Sequence, residues 1–96
     1  MSHYLIATID ILDREEYARY EEGFVEVFSK YNGKILAVDE NVKLLEGSWP
    51  ATRTVLIEFP SEPEAMDWYA SSEYQELAKH RFAASNGNVT LIQGLD

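Results

Sequence analysis

The feature that most limits the fold of this chain is a set of short alternating runs with apolar residues on both sides. Tyr4-Leu5-Ile6-Ala7-Thr8-Ile9-Asp10-Ile11 alternates with a period of two and puts Leu5, Ala7, Ile9 and Ile11 on one face, as a strand does. Its other face still carries Tyr4 and Ile6. The run Thr52 to Phe59 repeats the pattern, with Val55, Ile57 and Phe59 on one side and Leu56 on the other, and Val89 and Leu91 stand against Ile92. A sheet built from such strands needs a cover on each face. Helices supply one, and the second predicts a homodimer, because a large exposed apolar sheet face is unusual in a monomer.

The segments between these runs read as helices and turns. Asp13-x-x-Glu16 has the form of a capping box, and Tyr17, Tyr20, Phe24, Val27, Phe28 and Tyr31 follow it as one apolar helical stripe. Asn32-Gly33 is expected to stop that helix with a left-handed residue. Lys34 to Val38 reads as a second strand, Asp39-Glu40-Asn41 as a turn or bulge, and Val42 to Glu46 as resumed extended chain. A loop, Gly47 to Ala51, leads into the strand that ends at Pro60. Ser61-x-x-Glu64, with Pro63 in the first turn, caps a helix carrying Ala65, Met66, Trp68 and Tyr69. Ser72-x-x-Gln75 starts a further helix with Tyr74, Leu77, Ala78, Arg81 and Phe82. Asn86-Gly87-Asn88 reads as a turn before a last strand, Val89 to Gln93. The order is β-α-β-β-α-β with the second helix broken in two. It predicts an α+β, ferredoxin-like antiparallel sheet with its helices on one face, formed by one domain over residues 1–96.

Charge and composition exclude several partners. The chain carries 17 acidic against 8 basic residues, a net charge of −9, so neither nucleic acid nor an anionic membrane surface is an expected partner. The absence of cysteine removes disulfides, thiolate metal sites and cysteine nucleophiles. The N-terminus has neither the basic start nor the apolar run of a signal peptide, and a cytoplasmic setting is expected. No phosphate loop, nucleophile elbow or metal-spaced cluster is present, so no cofactor is expected.

What remains is a set of polar side chains inside apolar elements. Arg53 shares a strand face with Val55, Ile57 and Phe59, and a charge there must be paired or must meet a ligand. It either pairs with Glu46 across the hairpin or offers its fork to a ligand carboxylate or phosphate. Arg81, at helical spacing with Tyr74, Leu77 and Ala78, either points inward as a second cation or snorkels outward. Tyr17, Tyr20, Trp68, Tyr69 and Tyr74 are core aromatics, several of which could also wall a pocket. Glu46 and His80 are the candidates for handling a proton. Glu73, Glu76 and His80 share a helical face, which reads first as a solvated acidic face, with metal binding the minor reading. Trp49-Pro50 reads either as a partner or pocket contact or as a plug for its own sheet.

Several of these residues together resemble a bacterial family known as domain of unknown function 1330 (DUF1330). They are Glu46-Gly47, Arg53 through Glu58-Phe59-Pro60-Ser61, Ala65, Trp68-Tyr69, Ser72-x-Tyr74 and Arg81, with Tyr17, Tyr20 and Asn32-Gly33 in the first half. The resemblance implies a dimeric α+β barrel, in which two ferredoxin-like sheets face each other, and no established activity. Residues and resemblance together lead to the expectation of a small anionic or aromatic ligand bound between sheet and helices. Arg53 and Arg81 would anchor it, Tyr20, Trp68 and Tyr69 would wall the site, and Glu46 and His80 would be the catalytic candidates of a cofactor-free isomerase or monooxygenase. The alternative is a non-enzymatic dimeric regulatory or structural module.

Overall fold

A computed structural model describes residues 1–96. The elements are β1 (His3–Ile11), α1 (Arg14–Phe28), β2 (Lys34–Asp39), β3 (Arg53–Phe59), α2 (Glu62–Tyr69), α3 (Ser72–Ala84) and β4 (Ser85–Gln93). The strands form one antiparallel sheet in the order β2-β3-β1-β4, with three helices, and the architecture is ferredoxin-like.

Period-two alternation in β1 explains the layering. Leu5, Ala7, Ile9 and Ile11 are all buried beneath the helices. The strand register extends them into rows, Leu91–Leu5–Ile57, Val89–Ala7–Val55 and Gly87–Ile9–Arg53. Above them, Phe28, Phe59, Trp68 and Tyr74 form an aromatic cluster, with Trp68 and Tyr74 centroids 4.2 Å apart and Phe59 stacked on Trp68 at 5.6 Å. Salt links tie α3 to α1 and to the turn that follows it, Glu16 with His80 Nδ1 and Lys30 Nζ with Glu73 Oε2. The outer face of the sheet is mixed. Ile6 pairs with Leu56 and Tyr4 with Ile92, while Thr8 lies between Thr54 and Asn88. Trp49 Nε1 donates to Thr54 Oγ1 at 2.9 Å, which brings that indole to this face.

Several local expectations are corrected. Asn32-Gly33 supplies no left-handed residue, because Gly47 is the one residue with positive φ. Helix α1 ends at Phe28, with Ser29 Oγ donating to the Glu26 carbonyl. Gly33 is instead a packing glycine, since a Cβ there would lie 2.5 Å from Phe28 Cζ and 2.7 Å from Phe59 Cε1. The Asp13 box is half made. Asp13 Oδ1 accepts from Glu15 N and Glu16 N, but the Glu16 carboxylate turns to His80 and Arg19. The last helix is capped by Ser71, one residue earlier than expected, and Gln75 Nε2 donates to the Tyr69 carbonyl. Val42 to Glu46 joins no strand, and Leu45 is 82 % exposed. Asn86-Gly87-Asn88 is no turn: the three residues pair with Asp10, Ile9 and Thr8 and lengthen β4 to nine residues.

Candidate functional site

A cavity of about 220 Å³ lies between the sheet and the helices. Leu5, Ala7, Ile9, Val55, Ile57 and Val89 make its floor, which is the helix-facing side of the strand rows. Tyr17, Tyr20 and Phe24 of α1, Trp68 of α2, and Tyr74 and Arg81 of α3 make its walls and roof. Its open side runs between α1 and β2, where the lining residues Glu21, Val25, Ile35 and Val38 are exposed, Val25 to 71 %. A bulge in β2 shapes this side. Ile35 pairs with Ile57 and Val38 with Val55, so two residues three apart both reach the cavity.

Arg53 sits at one end of the cavity, opposite Ile9 in the sheet. Its Nη1 donates to Glu40 Oε2 at 2.8 Å, and its Nη2 lies 3.5 Å from Glu21 Oε2. Arg14 Nη1 also reaches Glu40, at 3.1 Å. These hydrogen bonds from Arg53 and Arg14 hold the Glu40 carboxyl below its usual pKa. The expected Arg53–Glu46 pair is therefore corrected. The β2–β3 register sets Asp39 against Thr54, which brings Glu40, not Glu46, beside Arg53.

Arg81 is buried, with 5 % of its surface exposed, and it takes part in no ion pair. Its guanidinium carbon lies 5.8 Å from the Tyr20 ring centroid and 4.8 Å from that of Phe82. The Tyr20 and Tyr74 hydroxyls bond each other at 2.8 Å. Desolvation, reinforced by Tyr74, pushes the Tyr20 phenol far above its ordinary range, so it is neutral in ordinary buffers. Three buried nitrogens have no hydrogen-bond partner: Arg53 Nε, Trp68 Nε1 and Arg81 Nη2. All three are donors, and all three residues line the cavity.

The structure thus brings Tyr20, Arg53, Trp68 and Arg81 to one cavity and leaves three other candidates outside its lining. Tyr69 faces a separate shallow depression with Met66 and Leu91. Glu46 is exposed in the segment between β2 and β3. His80 is engaged by Glu16. The acidic face of α3 converges on no metal-binding group, because Glu73 pairs with Lys30 and Glu76 with Lys79. Tyr17 and Tyr74, two further aromatics of the expected walls, also line the cavity, whereas sequence reasoning missed Glu21 and Glu40. Glu21 stands four residues after Tyr17, at the edge of the aromatic stripe, and that spacing was its available signal.

Comparison with known proteins places the chain. The sequence model of a family described as Domain of unknown function (DUF1330) matches residues 2–95. No curated protein matches. Among solved structures, the RPA0582 protein of unknown function from Rhodopseudomonas palustris is similar, with a TM-score of 0.83 and 19% identity over 99% of this chain and 83% of that one. A dimeric ferredoxin-like protein of unknown function from Jannaschia sp. gives a TM-score of 0.72 and 9% identity over 98% of this chain and 100% of that one. SnoaB from Streptomyces nogalater, a cofactor-independent oxygenase, gives a TM-score of 0.70 and 10% identity over 99% of this chain and 94% of that one. At these identities the likeness is one of fold.

Proposed function

The chain belongs to the DUF1330 family, which carries no assigned activity, and on that footing we propose that it is a homodimeric protein that binds a small molecule in the sheet–helix cavity. The observation that carries this reading is the set of three unpartnered donors on one apolar lining. Buried donors are almost always satisfied, and leaving one unpaired costs about 1–3 kcal/mol. Three on one cavity describe a ligand with an apolar body and oxygen acceptors.

For the chemistry we propose cofactor-free isomerisation or monooxygenation. SnoaB has this fold and is described as cofactor-independent. A guanidinium and two phenols, positioned beside a ligand oxygen, suit the stabilisation of charge developing there. The alternative, a non-enzymatic binding module, is favoured by the positions of Glu46 and His80, since neither reaches the cavity to move a proton. For the dimer, the Jannaschia neighbour offers the precedent, and the Ile6–Leu56 centre of the outer face offers the surface.

Thermal-shift and ligand-observed NMR titrations with small aromatic compounds, neutral and acidic, test the binding reading. Protection by at least one compound, lost when Trp68 and Arg81 are replaced, is the expected result. No shift with any compound sinks it. Turnover of a bound compound, followed by oxygen uptake and product analysis, separates enzyme from binding module. Leu56→Glu, measured by light scattering, is expected to give a monomer.

A further inference from the structure

The charges around the cavity fall into two groups, and only one of them balances. At the mouth, Arg14 and Arg53 face Glu40 and Glu21: Arg14 to Glu40 at 3.1 Å, Arg53 to Glu40 at 2.8 Å and Arg53 to Glu21 at 3.5 Å. Two cations meet two anions. Deeper in, Arg81 has no such partner. It is 5 % exposed, makes no ion pair, and leaves Nη2 without an acceptor.

Nothing beside Arg81 supplies a counter-charge. Its neighbours are aromatic rings, and the Tyr74 hydroxyl, bonded to that of Tyr20, offers it a neutral acceptor only. Desolvation works against the guanidinium's charge, and the Tyr74 and Tyr20 oxygens, with a hydrogen bond toward Tyr74 and a smaller effect of Tyr69, outweigh it and raise the Arg81 pKa; a neutral phenol nevertheless brings a dipole and no counter-charge. Buried charges are ordinarily paired. In this cavity one positive charge is left over.

Size narrows the ligand as well. A dry apolar cavity of about 150 Å³ accepts benzene. At about 220 Å³, this one has room for a single substituted ring rather than a fused system.

We propose that the cavity selects a single-ring monocarboxylic acid, whose one negative charge is neutralised by Arg81, while Arg53, already paired with Glu21 and Glu40, leaves no second cation for a dianion. Trp68 Nε1 and Arg53 Nε are further unpartnered donors, buried on residues of the same lining. This inference rests on the small-molecule reading above and adds to it the sign, the number and the place of the ligand's charge.

The test is calorimetric titration of the full chain at neutral pH with four probes of similar body: benzoate, neutral benzyl alcohol, dianionic phthalate and phenyl phosphate. Benzoate is expected to bind, and the other three to bind at least about tenfold more weakly, since a second charge with no free cation or a missing charge at Arg81 each costs more than the roughly 1.4 kcal/mol that a tenfold change represents. Arg81→Met is expected to lose benzoate by at least about tenfold while keeping benzyl alcohol. Arg81→Lys keeps the charge and is expected to keep the order of preference. Glu21→Gln is expected to narrow the gap between benzoate and phthalate. Phthalate or phenyl phosphate binding as tightly as benzoate, or Arg81→Met binding benzoate undiminished, overturns the charge assignment alone. Failure of every probe, the neutral one included, overturns the small-molecule reading with it.

Discussion

Arg81→Met takes away a buried cation and leaves an apolar side chain in its place. Arg81 is 5 % exposed and has no carboxylate partner, so the folded protein bears a desolvation cost of several kcal/mol for it. Against this stand two contacts with aromatic rings, at Tyr20 and at the half-exposed Phe82, worth about 0.5–1 kcal/mol each. The balance favours the variant by about 1–3 kcal/mol, which for a domain of this size is a rise in Tm of about 4 °C or more. The measurement is scanning calorimetry of protein that has been unfolded and refolded, so that no carried-over ligand occupies the cavity. Arg53→Met is the control, and its expected change has the opposite sign, because it strips Glu21 of its cation and Glu40 of one of two. A fall in Tm for both variants refutes the reasoning. Arg81 would then be satisfied within the chain, and no unmet charge would await a ligand.

Three further outcomes are expected. Gly33→Ala forces a Cβ into the Phe28 and Phe59 rings, and because Gly33 has no positive φ the cost is overpacking alone, about 1–3 kcal/mol by urea denaturation. Tyr20→Phe and Tyr74→Phe each leave one buried hydroxyl without its partner and should cost about 1–2 kcal/mol, whereas the double variant should cost much less than the sum; strict additivity in the cycle tells against the 2.8 Å bond. Glu40 has its carboxyl pKa depressed by Arg53 and Arg14, so its contribution is present above the unfolded value of about 4.3 and is lost as pH falls through the lower folded value. The Tm gap between the natural protein and Glu40→Gln should therefore close on acidification, and a gap independent of pH contradicts the pairing.

The sheet was the most legible part of the molecule. Leu5, Ala7, Ile9 and Ile11 alternate strictly, and a buried face enforces such a pattern, so the strand and its inward side could be read directly. Turn chemistry was less reliable. Asn86-Gly87-Asn88 has the composition of a turn, yet β1 offers nine residues of ladder, and pairing along its whole length outweighs local preference. Glycine at position 33 could be seen in the sequence, but its reason could not, because Phe28 and Phe59 meet there from different elements. Arginines inside apolar patterns pointed to the site at both 53 and 81. Their ranking was not legible. It depends on a partner count, and Glu40 becomes a partner of Arg53 only through a strand register that the β2 bulge determines.

That bulge has a consequence for how this chain tolerates changes in its length. Between Ile35 and Val38 the backbone carries one residue more than strict pairing requires, and this surplus is what turns both side chains toward the cavity. Removing that surplus residue would restore regular alternation with Ile35 and Val38 still on the cavity side, whereas ironing out the bulge at unchanged length would swing Val38 to the opposite side of the sheet and open the wall between α1 and β2. Adding or removing residues between positions 41 and 52 disturbs no ladder, and chain entropy charges little for a longer connection. Insertions and deletions are therefore expected to gather in that connection rather than in the paired residues of β2 and β3.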